Sequence, residues 1–87
     1  MKINKQMVFR EVAGEYLLVP VGGSVISTNG IFMLTETAAC IWKMLPGASD
    51  EAEIITKITD EYDVSKEEAE KDVLDFLAYL RSFEIID

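Results

Sequence analysis

Apolar residues follow two different rhythms along this chain. Up to Leu34 they come in short runs broken by turn residues, and beyond Thr35 they recur every three or four positions. The first rhythm predicts a small sheet and the second predicts helices. Residues 8–12 and 15–19 are rich in β-formers and flank Ala13-Gly14, where Gly14 can adopt the positive φ that closes a tight hairpin. Pro20 has no N–H to donate, so it ends the second strand or sits at its edge. Gly22-Gly23 frees the backbone for a change of direction, and residues 24–29 read equally as a strand start or as a loop that caps the core. Asn29-Gly30 then marks a turn into a third strand over residues 31–34. Residues 1–7 are polar and basic, which predicts a frayed or edge-pairing terminus.

The switch from strand to helix falls at Thr35, which can cap the first turn, with Glu36 suited to the positive helix start. Ala38, Ile41, Trp42 and Leu45 share one face of this helix, and Pro46-Gly47 stops it. Ser49 is the expected N-cap of a second helix, in which Ile54, Ile55, Ile58 and Tyr62 recur at helical spacing. Asp63-Val64-Ser65 is a short connection. Ser65 and Glu68 fit a capping box that opens a third helix, whose apolar face comprises Ala69, Val73, Phe76, Leu77, Leu80 and Phe83. Two helices joined by so short a link, beside a small sheet, define an α+β winged helix-turn-helix: a three-stranded antiparallel sheet followed by three α-helices.

The chain has 87 residues, 49% of them hydrophobic, with eight aromatics, one cysteine and no histidine. No linker or repeat interrupts it, so a single domain spanning residues 1–87 is expected, and its core needs no metal or disulfide staple. A lone Cys40 excludes an internal disulfide, and without histidine the usual nitrogen and sulfur metal sites cannot be assembled. A reducing cytoplasm is the expected compartment, and no apolar stretch is long enough to serve as a membrane span. The charge of −8 is unevenly placed. Residues 1–49 carry four basic and three acidic side chains; residues 50–87 carry four basic and thirteen acidic ones. The helical half is therefore an anion, repelled by phosphate backbones and attracted to a basic peptide or a basic protein face.

Catalytic chemistry finds little support. No Ser/His/Asp or Cys/His group can be built, and carboxylate neighbours such as Glu67 and Glu68 fall on the polar side of an amphipathic helix. Gly22-Gly23 lacks the pattern that cradles a phosphate, and Cys40 among Ala38, Ala39 and Ile41 reads as an inert thiol. The chain is expected not to be an enzyme, and no cofactor is implied. What remains is surface for binding. Ile31, Phe32, Met33 and Leu34 are all apolar, whereas a strand with one face in water should alternate, so either both faces are buried or one serves a partner. If this strand is an edge, its unpaired backbone groups can accept an extended peptide as a further strand. On the third helix, with the core face centred on Val73 and Leu80, Asp72 and Tyr79 lie on one flank and Leu74 and Arg81 on the other. Either flank could line a groove beside the strand.

Together these residues carry a family likeness. Arg10-Glu11-Val12-x-Gly14-Glu15, Leu18-Val19-Pro20, Asn29-Gly30, Leu34-Thr35-Glu36-Thr37-Ala38, Ile41-Trp42, Tyr62-Asp63-Val64-Ser65, Glu68 and Phe76-Leu77, in that order and spacing, resemble the PqqD-like family. That family includes pyrroloquinoline quinone synthesis protein D and the RiPP recognition elements, winged-helix domains that capture leader peptides of ribosomally made, modified peptides. The likeness runs from about Phe9 to Ile86. It departs from the family's usual Leu-Asn-Glu-Thr-Gly at Leu34 to Ala38, where threonine still caps a helix. The resemblance implies three strands and three helices, with a leader peptide paired against the third strand and lying in the groove beside the third helix. The residues so implicated are Ile31, Phe32, Met33, Leu34, Asp72, Leu74, Asp75 and Tyr79. It also implies presentation of the peptide to a modifying enzyme, a radical SAM enzyme or another.

Two other readings compete with a peptide-binding adaptor. A winged-helix DNA-binding regulator shares the geometry, but its recognition helix would begin Lys66-Glu67-Glu68-Ala69-Glu70-Lys71-Asp72, more acidic than basic. A structural subunit of a modifying enzyme would need no peptide groove at all. A homodimer through the exposed third strand is a further expectation.

Overall fold

A computed structural model describes residues 2–21 and 31–87. The expectations for Gly22-Gly23, residues 24–29 and Asn29-Gly30 lie outside the described residues. Strands β1 (Met7–Val12), β2 (Glu15–Pro20) and β3 (Phe32–Leu34) form an antiparallel sheet in the order β1-β2-β3. Helices α1 (Glu36–Met44), α2 (Glu51–Glu61) and α3 (Lys66–Ser82) follow, with a 3-10 turn (Leu45–Gly47) after α1. This is the α+β order of three strands and three helices that the apolar rhythm predicts.

The hairpin between β1 and β2 closes on two left-handed residues, Ala13 at φ 52° and Gly14 at φ 80°. Two consecutive positive φ values match the right-handed twist of the flanking strands. The glycine was legible as a turn former, and the alanine adopts the same region at a cost. The register pairs Val12 with Glu15 and Phe9 with Leu18, and then Leu18 with Phe32 across β2 and β3. Phe9, Leu18 and Phe32 thus form one row on the core face. The apolar run at β3 does alternate: Phe32 is buried, Met33 is 66% exposed, and Ile31, which falls just before the strand, is 59% exposed.

Each helix begins on a side-chain cap. Thr35 Oγ1 accepts from the Ala38 amide at 3.1 Å, and Ser65 Oγ accepts from the Glu68 amide at 3.2 Å. The cap of α2 is Asp50 and not Ser49. Asp50 takes the extended conformation and its Oδ1 accepts from the Glu53 amide at 2.9 Å, while the Ser49 amide donates to Glu53 Oε2 at 2.8 Å. Asp caps as well as Ser and adds a charge that suits the helix start, so the cap falls one residue later. That bond from the Ser49 backbone also holds the Glu53 carboxyl below its ordinary pKa.

The core is one cluster. Ile41, Trp42 and Leu45 from the first helical unit meet Ile54 and Ile58 of α2 and Ala69, Val73, Leu77 and Leu80 of α3, over Leu18 and Phe32 of the sheet. In α1 it is Ala39 that is buried, whereas Ala38 stays partly open toward a groove described below. The end of α3 turns sharply: Glu84 is left-handed at φ 59°, the Ile85 amide donates to the Leu80 carbonyl at 3.0 Å, and Ile85 and Ile86 drop into the core. The N-terminal segment pairs with this end. Ile3 bridges Ile86, the Asn4 amide donates to the Ile85 carbonyl at 2.7 Å, and Lys5 Nζ donates to the Phe83 carbonyl at 2.6 Å. Of the two expectations for this terminus, edge pairing is the one realised.

Ala13→Asn should raise the unfolding free energy by about 0.5–1 kcal/mol, since Asn occupies the left-handed region more readily than Ala; urea titration reads the gain. Tyr62, at the end of α2, gives a second test. Burial above all, then the nearby Cys40 and Glu36, push its hydroxyl up to about 12 from 10.0. Between these two values the folded chain keeps a proton that the unfolded chain has lost, so its contribution is complete below pH 10 and fades as pH rises toward 12. Tyr62→Phe should flatten that fall in stability and remove the tyrosinate absorbance step near pH 12.

Candidate functional site

A groove opens between the end of β3 and one flank of α3. It has a volume near 500 Å³ and is lined by Met33, Leu34, Thr35, Thr37, Ala38, Ile41, Asp72, Asp75, Phe76 and Tyr79. Three elements build it, and each does so for a local reason. β3 is the last strand of the sheet, so the backbone groups on its far side have no strand partner among the described residues. The Thr35 cap makes the chain turn directly from strand into helix, which brings Ala38 and Ile41 beneath the strand edge. Helical periodicity buries Val73, Leu77 and Leu80, and so leaves Asp72, Asp75, Phe76 and Tyr79 as the adjoining flank.

An aromatic group fixes the far end. The Phe32 ring meets Phe83 edge-on at 4.9 Å and Tyr79 at 5.9 Å, and Tyr79 meets Phe83 at 5.2 Å. Phe32 is therefore a buried pillar between sheet and helix, while Tyr79 keeps 45% of its surface exposed. The start of β3 thus lies at the C-terminal end of α3, and the groove extends back along the helix toward Asp72.

Of the eight residues singled out in the sequence, five come together here: Met33, Leu34, Asp72, Asp75 and Tyr79. Phe32 supports the groove from inside the core, and Ile31 precedes the strand without lining the groove. Leu74 lies elsewhere. It borders a separate depression with Glu51, Ala52, Ile55, Thr56, Lys66 and Glu70, on the side of α3 that faces α2. A helix of fixed pitch cannot present Leu74 and Asp72 to the same neighbour, because they are 200° apart around the axis. Not foreseen as lining are Thr35, Thr37, Ala38, Ile41 and Phe76. Ala38 and Phe76 carry apolar side chains at core-like spacing, and only their partial exposure marks them as groove wall. Among the described residues no cluster of His, Cys, Asp or Glu is placed to hold a metal ion, and no helix is long and apolar enough to cross a membrane.

A three-strand, three-helix α+β domain with a groove at its last strand is thus the class that geometry defines. The family model for coenzyme PQQ synthesis protein D (PqqD) matches residues 15–86, and the chain belongs to that family. Among solved structures it is similar to TbiB1 in complex with the TbiA(beta) leader peptide, with a TM-score of 0.77 and 29% sequence identity. That match covers 100% of this chain and 95% of TbiB1. No curated protein matches the chain.

Met33 tests whether the exposed edge belongs to the fold or to a partner. Because it is 66% exposed, Met33→Ser should change the unfolding free energy by less than about 0.5 kcal/mol. A larger loss in urea titration would mean that Met33 is packed within the fold.

Proposed function

We propose that this protein is a peptide-binding adaptor without catalytic activity. It captures the leader segment of a ribosomally made precursor peptide and presents it to a modifying enzyme. The reading rests on one observation above all: a strand edge with no strand partner among the described residues borders an open groove in a chain that belongs to the PqqD family and is similar to a leader-peptide complex. An extended segment adds to β3 by main-chain hydrogen bonds, and its alternate side chains enter the groove. Met33 and Leu34 supply the strand edge, Asp72, Asp75 and Tyr79 the helical wall, and Phe32 holds the two apart.

Such binding uses only backbone groups and pockets, so the chain needs no reactive centre. Each added main-chain hydrogen bond contributes about 1 kcal/mol net and each buried apolar side chain about 2. Association and peptide ordering cost several kcal/mol, so a short strand alone binds weakly and the groove must add to it. The modifying enzyme is a radical SAM enzyme in this reading, by analogy with other PqqD-like proteins. Residues 1–87 act as one unit in the cytoplasm. Where no peptide is present, β3 can in this reading pair with β3 of a second copy, against the repulsion of two acidic surfaces.

Amide NMR titration of the labelled protein with the leader segment of a small peptide encoded beside its gene tests the reading. Shifts should concentrate at residues 31–34 and 72–79, and Tyr79→Ser should weaken binding about tenfold. Shifts that appear only on adding the neighbouring enzyme, and none with the peptide, would leave a structural subunit in place of an adaptor.

A further inference from the structure

The groove carries two charges of the same sign. Asp72 and Asp75 are the charged residues in its lining, both exposed, and the ion pairs seen elsewhere, Lys57 with Glu53 and Arg81 with Glu51, leave both out. Lys71 lies one turn before Asp75 and makes no ion pair with it. Beyond the groove the surroundings are acidic as well, since residues 50–87 hold thirteen acidic and four basic side chains. The rest of the lining is apolar or aromatic apart from the threonines at its mouth. A ligand that fills this groove therefore needs an apolar part and a positive part.

Helix geometry sets the distance between those parts. The midpoint of Asp72 and Asp75 is four residues from the midpoint of Phe76 and Tyr79, about 6 Å along the helix axis. Side chains on one face of an extended peptide recur about every 6.6–6.8 Å. The two repeats nearly coincide, so a strand beside β3 that places one side chain against Phe76 and Tyr79 places the side chain two residues away between the carboxylates. Because Phe32 lies against Tyr79 and Phe83, the apolar position falls beside the start of β3 and the charged position beside its end.

Resting on the peptide-binding reading above, we infer that the groove selects leader segments in which Lys or Arg stands two residues from a large apolar residue. The cation sits between Asp72 and Asp75, and the apolar side chain packs on Phe76 and Tyr79. A leader with Asp or Glu at the first position is rejected by like charge, so the same pair of carboxylates supplies both selection and exclusion.

A phage-displayed library of random dodecapeptides, panned on the full chain at low salt, tests this. Enriched sequences should carry Lys or Arg two residues from Leu, Ile, Phe or Tyr, and the Asp72→Lys/Asp75→Lys variant should enrich Asp or Glu there instead. For one enriched peptide, Asp72→Asn/Asp75→Asn should weaken binding about fivefold, with amide shifts at residues 31–34 retained. Both side chains are exposed, and circular dichroism checks that the variants fold. Apolar enrichment with no charge preference, or the same peptides from the charge-reversed variant, would overturn the inference while shifts at residues 31–34 leave the adaptor reading standing. Failure of any peptide to enrich or to shift residues 31–34 would overturn both.

Discussion

The contact of Phe32 with the end of α3 is the constraint on which the groove depends. A strand and a helix can pack at many angles, and the edge-to-face cluster of Phe32, Tyr79 and Phe83 selects one of them. On the sheet side Phe32 is locked by its pairing with the fully buried Leu18; on the helix side the neighbours Val73, Leu77 and Leu80 are fully buried too. The pillar is therefore fixed at both ends. Phe83 is further held by the turn that follows it, where Glu84 adopts a left-handed conformation and Lys5 reaches the Phe83 carbonyl. The terminal pairing of Ile3 with Ile86 closes the same corner. One end of the groove is built from parts that are far apart in sequence, and it stays wide because a buried ring occupies the space behind it.

The other end of the groove depends on local chemistry. Thr35 caps α1 immediately after β3, with no loop between strand and helix, and so Ala38 and Ile41 lie under the strand edge. A longer connection would let α1 swing away and leave the edge of β3 standing free. An open groove beside an edge strand would ordinarily invite aggregation, and the surface here counters it with charge. Asp72 and Asp75 rim the opening, and the helical half is strongly acidic. Like charge keeps two copies apart at long range while leaving the short-range apolar floor available.

Much of this was legible in the sequence, and the residues that were not show why. The hairpin at Gly14, the Thr35 and Ser65 caps and the core faces of α2 and α3 all follow from local rules that depend on a few neighbouring residues. The cap at Asp50 was misplaced by one residue because Ser49 and Asp50 are both good caps and only the backbone conformation separates them. The groove was half legible. Periodicity identified two flanks of α3, but which one meets β3 depends on how the helix is rotated about its axis, and that rotation is set by the distant contact with Phe32. Thus the flank of Asp72 and Tyr79 and the flank of Leu74 stood as equal candidates until the fold chose the first, and Ala38 was assigned to the core although Ala39 fills that place. Partial exposure is a property of the assembled fold, and no pattern along the chain encodes it.

Phe32 and Met33 illustrate how one short strand can serve two ends. In four consecutive apolar residues the alternation of a strand was hidden, because both faces are hydrophobic for different reasons. The inward face is apolar to fill the core, and the outward residues Ile31 and Met33 remain exposed at 59% and 66%. Exposing two large apolar side chains next to a backbone edge that has no strand partner among the described residues does not stabilise the folded chain. A segment that paired with the strand would cover the edge and the side chains in the same step. The strand thus divides its residues between two faces: the inward Phe32 keeps the groove in shape, and the outward set can vary without disturbing the core.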